Sequence, residues 1–170
     1  MSMALSFSPE ADAEIVAILE RYPTRLAALI PTLWVAQRRF GYLTEEALEL
    51  VARRLDLPPA KVIATATFYT MFHKRPVGRL HIQVCKNISC YLRGSDAVTR
   101  CAEEKTGLRP GETSEDGRFT LEEVECLAAC GRAPVVQINE DYHEWQTPEA
   151  FAALLDRLSG ELPGAAEGDA

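Results

Sequence analysis

The apolar positions of this 170-residue chain change period near its middle, and the change predicts two kinds of structure. From Pro9 to about Met71 they recur at helical spacing. Ser8 followed by Pro9 and acidic residues reads as a helix start, with Ile15, Ile18 and Leu19 as its apolar stripe. A second helix is expected from Arg25 to Phe40, with Leu26, Leu29, Ile30, Leu33 and Gln37 on one side and Gly41 ending it. Pro31 inside that pattern should bend the helix or mark its true first turn. Thr44 caps a third helix carrying Ala47, Leu48, Val51, Ala52 and Leu55, which stops before Pro58-Pro59. A shorter fourth helix passes through Val62 and Ile63.

After Arg79 the pattern alternates. A strand from Arg79 to Val84 puts Leu80, Ile82 and Val84 on one face. A helix from about Ser95 to Lys105 and the turn-rich LRPGETSEDG lead to a second strand near Phe119 to Val124, giving a βαβ unit whose strands should run parallel. Val135 to Asn139 and His143 to Gln146 read as a hairpin joined by EDY. Thr147-Pro148-Glu149 starts a last helix that buries Phe151, Leu154, Leu155 and Leu158. The order β-α-β-β-β-α fits a thioredoxin-like layer. The predicted fold is therefore α/β, with a helical N-terminal region over 1–75, a sheet domain over 76–160 and a flexible tail over 161–170, and with no internal repeat.

Chemistry enters with the cysteines. Four of the five form two tight pairs, Cys85/Cys90 and Cys126/Cys130, each expected on a loop where a strand ends. Four thiolates from two loops suit a four-sulfur metal site. Zinc would be satisfied by the same set, although zinc ribbons usually place two residues between paired cysteines and neither pair here does. A dithiol oxidoreductase lacks its Cys-x-x-Cys element, and a Rieske-type site lacks its two histidines.

The cysteine pattern, with TATFYTMF upstream and CLAACGRAPVVQIN at the second pair, resembles the small iron–sulfur subunit of NADH-quinone oxidoreductase, the E subunit in bacteria. The resemblance runs over residues 15–158. It implies a [2Fe–2S] cluster on a thioredoxin-like domain behind an α-helical N-terminal bundle, with Cys85 and Cys90 on one iron and Cys126 and Cys130 on the other. It also implies a partner subunit that binds FMN and NADH, with which the cluster exchanges single electrons near the flavin but off the main path to quinone. The equivalent subunit of an NAD-linked formate dehydrogenase or hydrogenase would carry the same ligands, and a zinc-stabilised interaction domain is a third reading.

Neighbouring residues supply secondary expectations. Gly94 and Gly131 should free the backbone to point N–H donors at sulfur. Lys86 and Arg132 should raise the reduction potential or else be solvated surface charges. Cys101 is read as a small buried thiol outside the metal site, and His73, His81 and His143 as structural. Phe68 and Phe72 are expected to pack in a core between the helical and sheet parts, with Tyr69 or Met71 open to a partner.

Composition narrows the field further. A net charge of −7 argues against nonspecific nucleic-acid binding, which needs a basic face. MSMALSFSPE lacks the basic start and apolar core of a signal peptide, and no apolar run is long enough to span a bilayer. The expected location is cytoplasmic, peripheral to the inner face of the membrane through a larger complex. No Gly-rich dinucleotide fingerprint, phosphate loop or nucleophile–base pair is present, so catalytic residues are not expected on this chain.

Overall fold

A computed structural model describes residues 5–162, and the chain divides into two compact units with the boundary between Pro76 and Val77. The first four residues and most of the expected tail, 163–170, lie outside the described residues.

In the N-terminal unit four helices follow one another: α1 Pro9–Arg21, α2 Leu29–Phe40, α3 Glu45–Leu55 and α4 Pro59–Phe68. The Ser8 and Thr44 hydroxyls accept from the Ala11 and Ala47 amides at 3.3 and 3.1 Å, pairing N–H groups that a helix start leaves free. Their apolar faces close on a core of Ile15, Leu29, Leu33, Val51, Leu55, Val62 and Phe72. Gln37 is buried in the same unit, where its amide donates to the Met71 carbonyl at 3.0 Å and accepts from the His73 amide at 2.7 Å. It thereby ties down the segment that follows α4.

Two expectations change here. The second helix begins at Leu29, not Arg25, and Leu26 is exposed. Pro31 falls in the first turn, where its missing N–H costs nothing, and 25–28 form a lead-in turn. Phe72 is buried in the helical core, but Phe68 is 78% exposed and stacks edge-on against Tyr69 at 5.0 Å. The backbone becomes extended at Tyr69, so Phe68 and Phe72 are not a turn apart on one helix.

In the C-terminal unit the elements are β1 Leu80–Cys85, α5 Ile88–Leu92, α6 Ser95–Thr106, β2 Glu112–Thr113, β3 Phe119–Val124, a 3₁₀ turn Cys130–Arg132, β4 Val136–Ile138, β5 Asp141–His143 and α7 Pro148–Glu161. The strands form one sheet in the order β2-β3-β1-β4-β5. β1 and β3 run parallel with Ile82 opposite Leu121, and every other pairing is antiparallel. Leu80, Ile82, Val84, Leu121, Val136 and Ile138 share a core with Val98 and Ala102 of α6 and Phe151 and Leu155 of α7. On the strand's other face His81 is buried and bonds Glu122 at 3.0 Å.

Three local readings need correction. The turn-rich segment after α6 contains the short strand β2, which the density of Gly, Pro and Ser conceals in the sequence. In the hairpin, Asp141 and Tyr142 belong to β5, and the turn is made at Asn139 (φ 56°) and Glu140. α7 continues through Gly160 and Glu161, one residue into the expected tail.

Candidate metal centre

Cys85 is the last residue of β1 and is buried, with its amide donating to the Val135 carbonyl at 3.1 Å. Lys86 then donates to the Val124 carbonyl at 3.0 Å, which holds the chain beside the end of β3. Asn87 caps α5 by accepting from Ile88 at 3.0 Å. This short helix carries Cys90 inward, also buried. The first pair thus spans a strand end and a helical turn rather than a loop.

The second pair lies on an irregular segment after β3. Both thiols are exposed, 3.3 Å apart, and Cys130 opens the 3₁₀ turn. That separation is far beyond a disulfide bond, and all five cysteines are free. Leu127 and Ala129 pack against a small cluster of Cys85, Cys90, Ala133 and Val135, so the second segment covers the first pair. The Ala133–Pro134 peptide in the same segment is cis.

The thiols perturb one another. Burial pushes Cys90 up to about 11, helped by a hydrogen bond with Cys85 and by the charges of Cys85 and Cys130. Cys130 is raised chiefly by its hydrogen bond with Cys126, and Cys85 adds to the effect from across the site. The two pairs therefore occupy one electrostatic neighbourhood. Among the described residues no three or more His, Cys, Asp or Glu side chains converge on the single point that one ion would occupy. A two-iron cluster asks for something else: two thiolates per iron, delivered as two pairs. The cysteines are the candidates for such a set, one pair buried and the other exposed. Binding would have to displace the protons that the raised Cys90 and Cys130 thiols hold.

The backbone around the sulfurs differs from expectation. Ala128, not a glycine, takes a left-handed conformation (φ 63°) and donates its amide to Cys126 Sγ at 3.3 Å. The two-residue reach from Cys126 is the available signal, but alanine carries no sequence mark for positive φ. Gly131 has no such φ, and a Cβ there would meet nothing within 4 Å. Gly94 does adopt φ 92°, yet its amide bonds the Tyr91 carbonyl at 3.0 Å rather than sulfur. Arg132 is ion-paired to Glu144 at 2.7 Å, which raises the guanidinium's pKa and offsets its charge. Lys86 is exposed.

The remaining candidates sit elsewhere. Cys101 is half-buried on α6, donates to the Pro148 carbonyl at 3.3 Å and is pushed up by burial. His143 is lowered by partial burial, and His81 is held by Glu122.

A mixed sheet with two helices packed into its core, ending at four paired thiols, defines a class: the small thioredoxin-like iron–sulfur proteins. The family model for thioredoxin-like [2Fe-2S] ferredoxins matches residues 15–159. The chain belongs to the thioredoxin-like [2Fe–2S] ferredoxin family. It is 46% identical over 147 residues to the E subunit of NADH-quinone oxidoreductase from Rickettsia bellii (strain RML369-C), covering 85% of this chain and 88% of that one. It is 49% identical over 143 residues to the NADH-quinone oxidoreductase E subunit numbered 2 from Rhizobium meliloti (strain 1021), covering 84% and 85%. Its fold is similar to a chain of the NAD+-reducing [NiFe]-hydrogenase in the H2-reduced state, with a TM-score of 0.67 and 23% identity over 77% of this chain. The match spans only 22% of that longer chain. Among the described residues no helix is long and apolar enough to cross a membrane.

Proposed function

We propose that this chain is the electron-transfer subunit of an NADH-quinone oxidoreductase, holding one [2Fe–2S] cluster through Cys85, Cys90, Cys126 and Cys130. The observation that supports the reading is the packing of Leu127 and Ala129, from the second cysteine segment, onto the buried first pair, which brings together segments some forty residues apart in sequence. When bound, the cluster supplies one-electron oxidation and reduction. The chain's part is to hold it: β1 and α5 bury one pair, and the segment after β3 presents the other at the surface, where an electron can pass.

Single electrons would be exchanged with the FMN of a partner subunit that also binds NADH. The names of the Rickettsia and Rhizobium relatives support that assignment. In such a complex the chain would sit at the inner face of the membrane without entering it. A second reading, the equivalent subunit of an NAD-linked hydrogenase or formate dehydrogenase, is supported by the fold shared with the NAD+-reducing hydrogenase. Genes for membrane subunits beside this one favour the first reading, and genes for nickel or molybdenum enzymes favour the second.

The test is anaerobic purification or reconstitution of the full chain. Two irons and two sulfides per chain, a red-brown colour and a reduced-state paramagnetic resonance signal are expected. Each cysteine of the two pairs changed to alanine should lose the signal, whereas Cys101→Ala should keep it. Colourless protein that retains zinc would overturn the assignment.

A further inference from the structure

Helix α5 turns its apolar stripe outward. Ile88, Tyr91 and Leu92 stand at i, i+3 and i+4, the spacing of one helical face, and are 65%, 56% and 75% exposed. The residue that this helix buries is Cys90. A surface helix ordinarily points such a stripe at the core, and a contiguous apolar patch left in water marks a surface that another molecule covers.

The stripe continues into the second cysteine segment. α5 packs on the 3₁₀ turn Cys130–Arg132, and the Arg132 carbonyl accepts from the Trp145 amide at 2.9 Å. The Trp145 ring is 55% exposed, and the Arg93 guanidinium at the end of α5 lies over it, 5.7 Å from its centroid. Trp145 also holds φ 57°, a left-handed backbone that a bulky side chain adopts only against strain. Its half-exposed ring recovers little of that cost within the chain. Charge sets this surface apart as well. Segments 85–94 and 126–134 hold Lys86, Arg93 and Arg132 and no Asp or Glu, in a chain of net charge −7. Glu125 adjoins the second segment and Glu144 pairs with Arg132 at 2.7 Å, so among these residues cations still outnumber carboxylates.

We propose that Ile88, Tyr91, Leu92 and Trp145, with Arg93 among them, form the surface on which the FMN-binding subunit docks, and that the partner meets it with an apolar centre and carboxylates at the rim. The inference rests on the reading given under Proposed function and adds where that partner sits. Two features choose the occupant. An electron crosses only a short gap between redox groups, so a flavin serving the cluster has to be held beside the exposed cysteine pair, and this surface borders that pair. A second copy of the chain, meeting the same patch across a twofold axis, would set these cations against one another, whereas an acidic rim neutralises them. Tryptophan, tyrosine and arginine are also the side chains that contribute most at the centre of an interface.

The cluster-loaded full chain is titrated with the FMN-loaded, NADH-oxidising subunit of the same complex, and binding is followed by biolayer interferometry. Leu92→Asp and Trp145→Gly should each raise the Kd about tenfold or more. Glycine suits φ 57°, so the melting of Trp145→Gly should stay near wild type and its loss of binding is not a loss of fold. Arg93→Glu should weaken binding too, most at low salt, where exposed charges are least screened. Leu26→Asp, at an exposed leucine of the N-terminal unit, should bind as wild type does. If Leu92→Asp does not load, Trp145→Gly and Arg93→Glu carry the comparison. Loaded patch variants with a Kd within twofold of wild type, tighter binding by Arg93→Glu, or an equal loss from Leu26→Asp would overturn the docking inference and leave the cluster reading standing. So would a wild type that self-associates through this patch, dispersed by Leu92→Asp, because the occupant would then be a second copy. A wild type that takes up no [2Fe–2S] cluster, or that takes one up and does not bind the flavoprotein, would instead remove the functional reading, and this inference with it.

Discussion

Adding one methyl group at Gly78 should break the C-terminal unit at the start of its central strand pair. A Cβ there would press on the carbonyl carbon of Phe119 and stand 2.6 Å from the Thr120 nitrogen and 2.7 Å from Phe119 Cα. These are backbone atoms of β3, so no rotamer change relieves the clash. The backbone cannot simply retreat, because Arg79 donates to Gly117 at 3.0 Å and Leu80 to Arg118 at 2.9 Å on the same edge. Overpacking of this kind costs roughly 1–3 kcal/mol. Displacing the Gly78 amide from Thr120 Oγ1, which it meets at 2.6 Å, adds about 1 kcal/mol. A total of about 2–4 kcal/mol corresponds to a fall in Tm of roughly 10–25 °C for a unit of this size. Circular dichroism melting of Gly78→Ala supplies the number, and amide exchange should show the loss concentrated in β1 and β3. Gly131→Ala is the internal control, since open space surrounds that position, and its melting should match the wild type. A Gly78→Ala protein melting within 2 °C or so of wild type would refute the steric reasoning, because about 0.5 kcal/mol is the scatter of neutral surface changes.

Phe72→Ala should cost about 3–5 kcal/mol by opening the helical core, whereas Phe68→Ala should leave the isolated chain's melting almost unchanged; denaturant titration of the two separates a core aromatic from an exposed one. The iron-free protein should lose stability as pH rises from about 8.5, the ordinary thiol value, toward 11, because the fold holds Cys90 protonated while the unfolded chain releases that proton. Loading iron should abolish that alkaline loss, and a flat stability profile of the iron-free protein over the same range would contradict the burial argument. Lys86→Ala should lower the cluster's midpoint potential, and Arg132→Ala should lower it less, because Glu144 already offsets the guanidinium charge; redox titration of both variants checks the order.

Much of the architecture is legible in the residue order because local rules and packing agree there. Ser8, Thr44 and Thr147 each cap a helix by accepting from the amide three residues on. The alternation of Leu80, Ile82 and Val84 marks the face of β1 that packs against α6 and α7. The segments that depart from expectation are those where local pattern is weak. β2 is two residues long inside a turn-rich stretch, and its partner β3 supplies its pairing. Phe68 has the composition of a core residue, but the helix end at Tyr69 leaves it outside.

At the candidate site the division is similar. The sequence by itself marked out the four paired thiols as candidate ligands, because close cysteine pairs suit a metal by spacing and chemistry, and determined the helical-then-sheet order, because apolar period follows backbone geometry. Tertiary structure decided which side of the site is buried, since burial of Cys85 and Cys90 depends on Ala133, Val135 and the segment folded over them. It also decided that Ala128 rather than Gly131 turns an amide toward sulfur, and that Glu144 offsets Arg132. These are contacts between residues whose spacing carries no period, and only the closed chain brings them within reach.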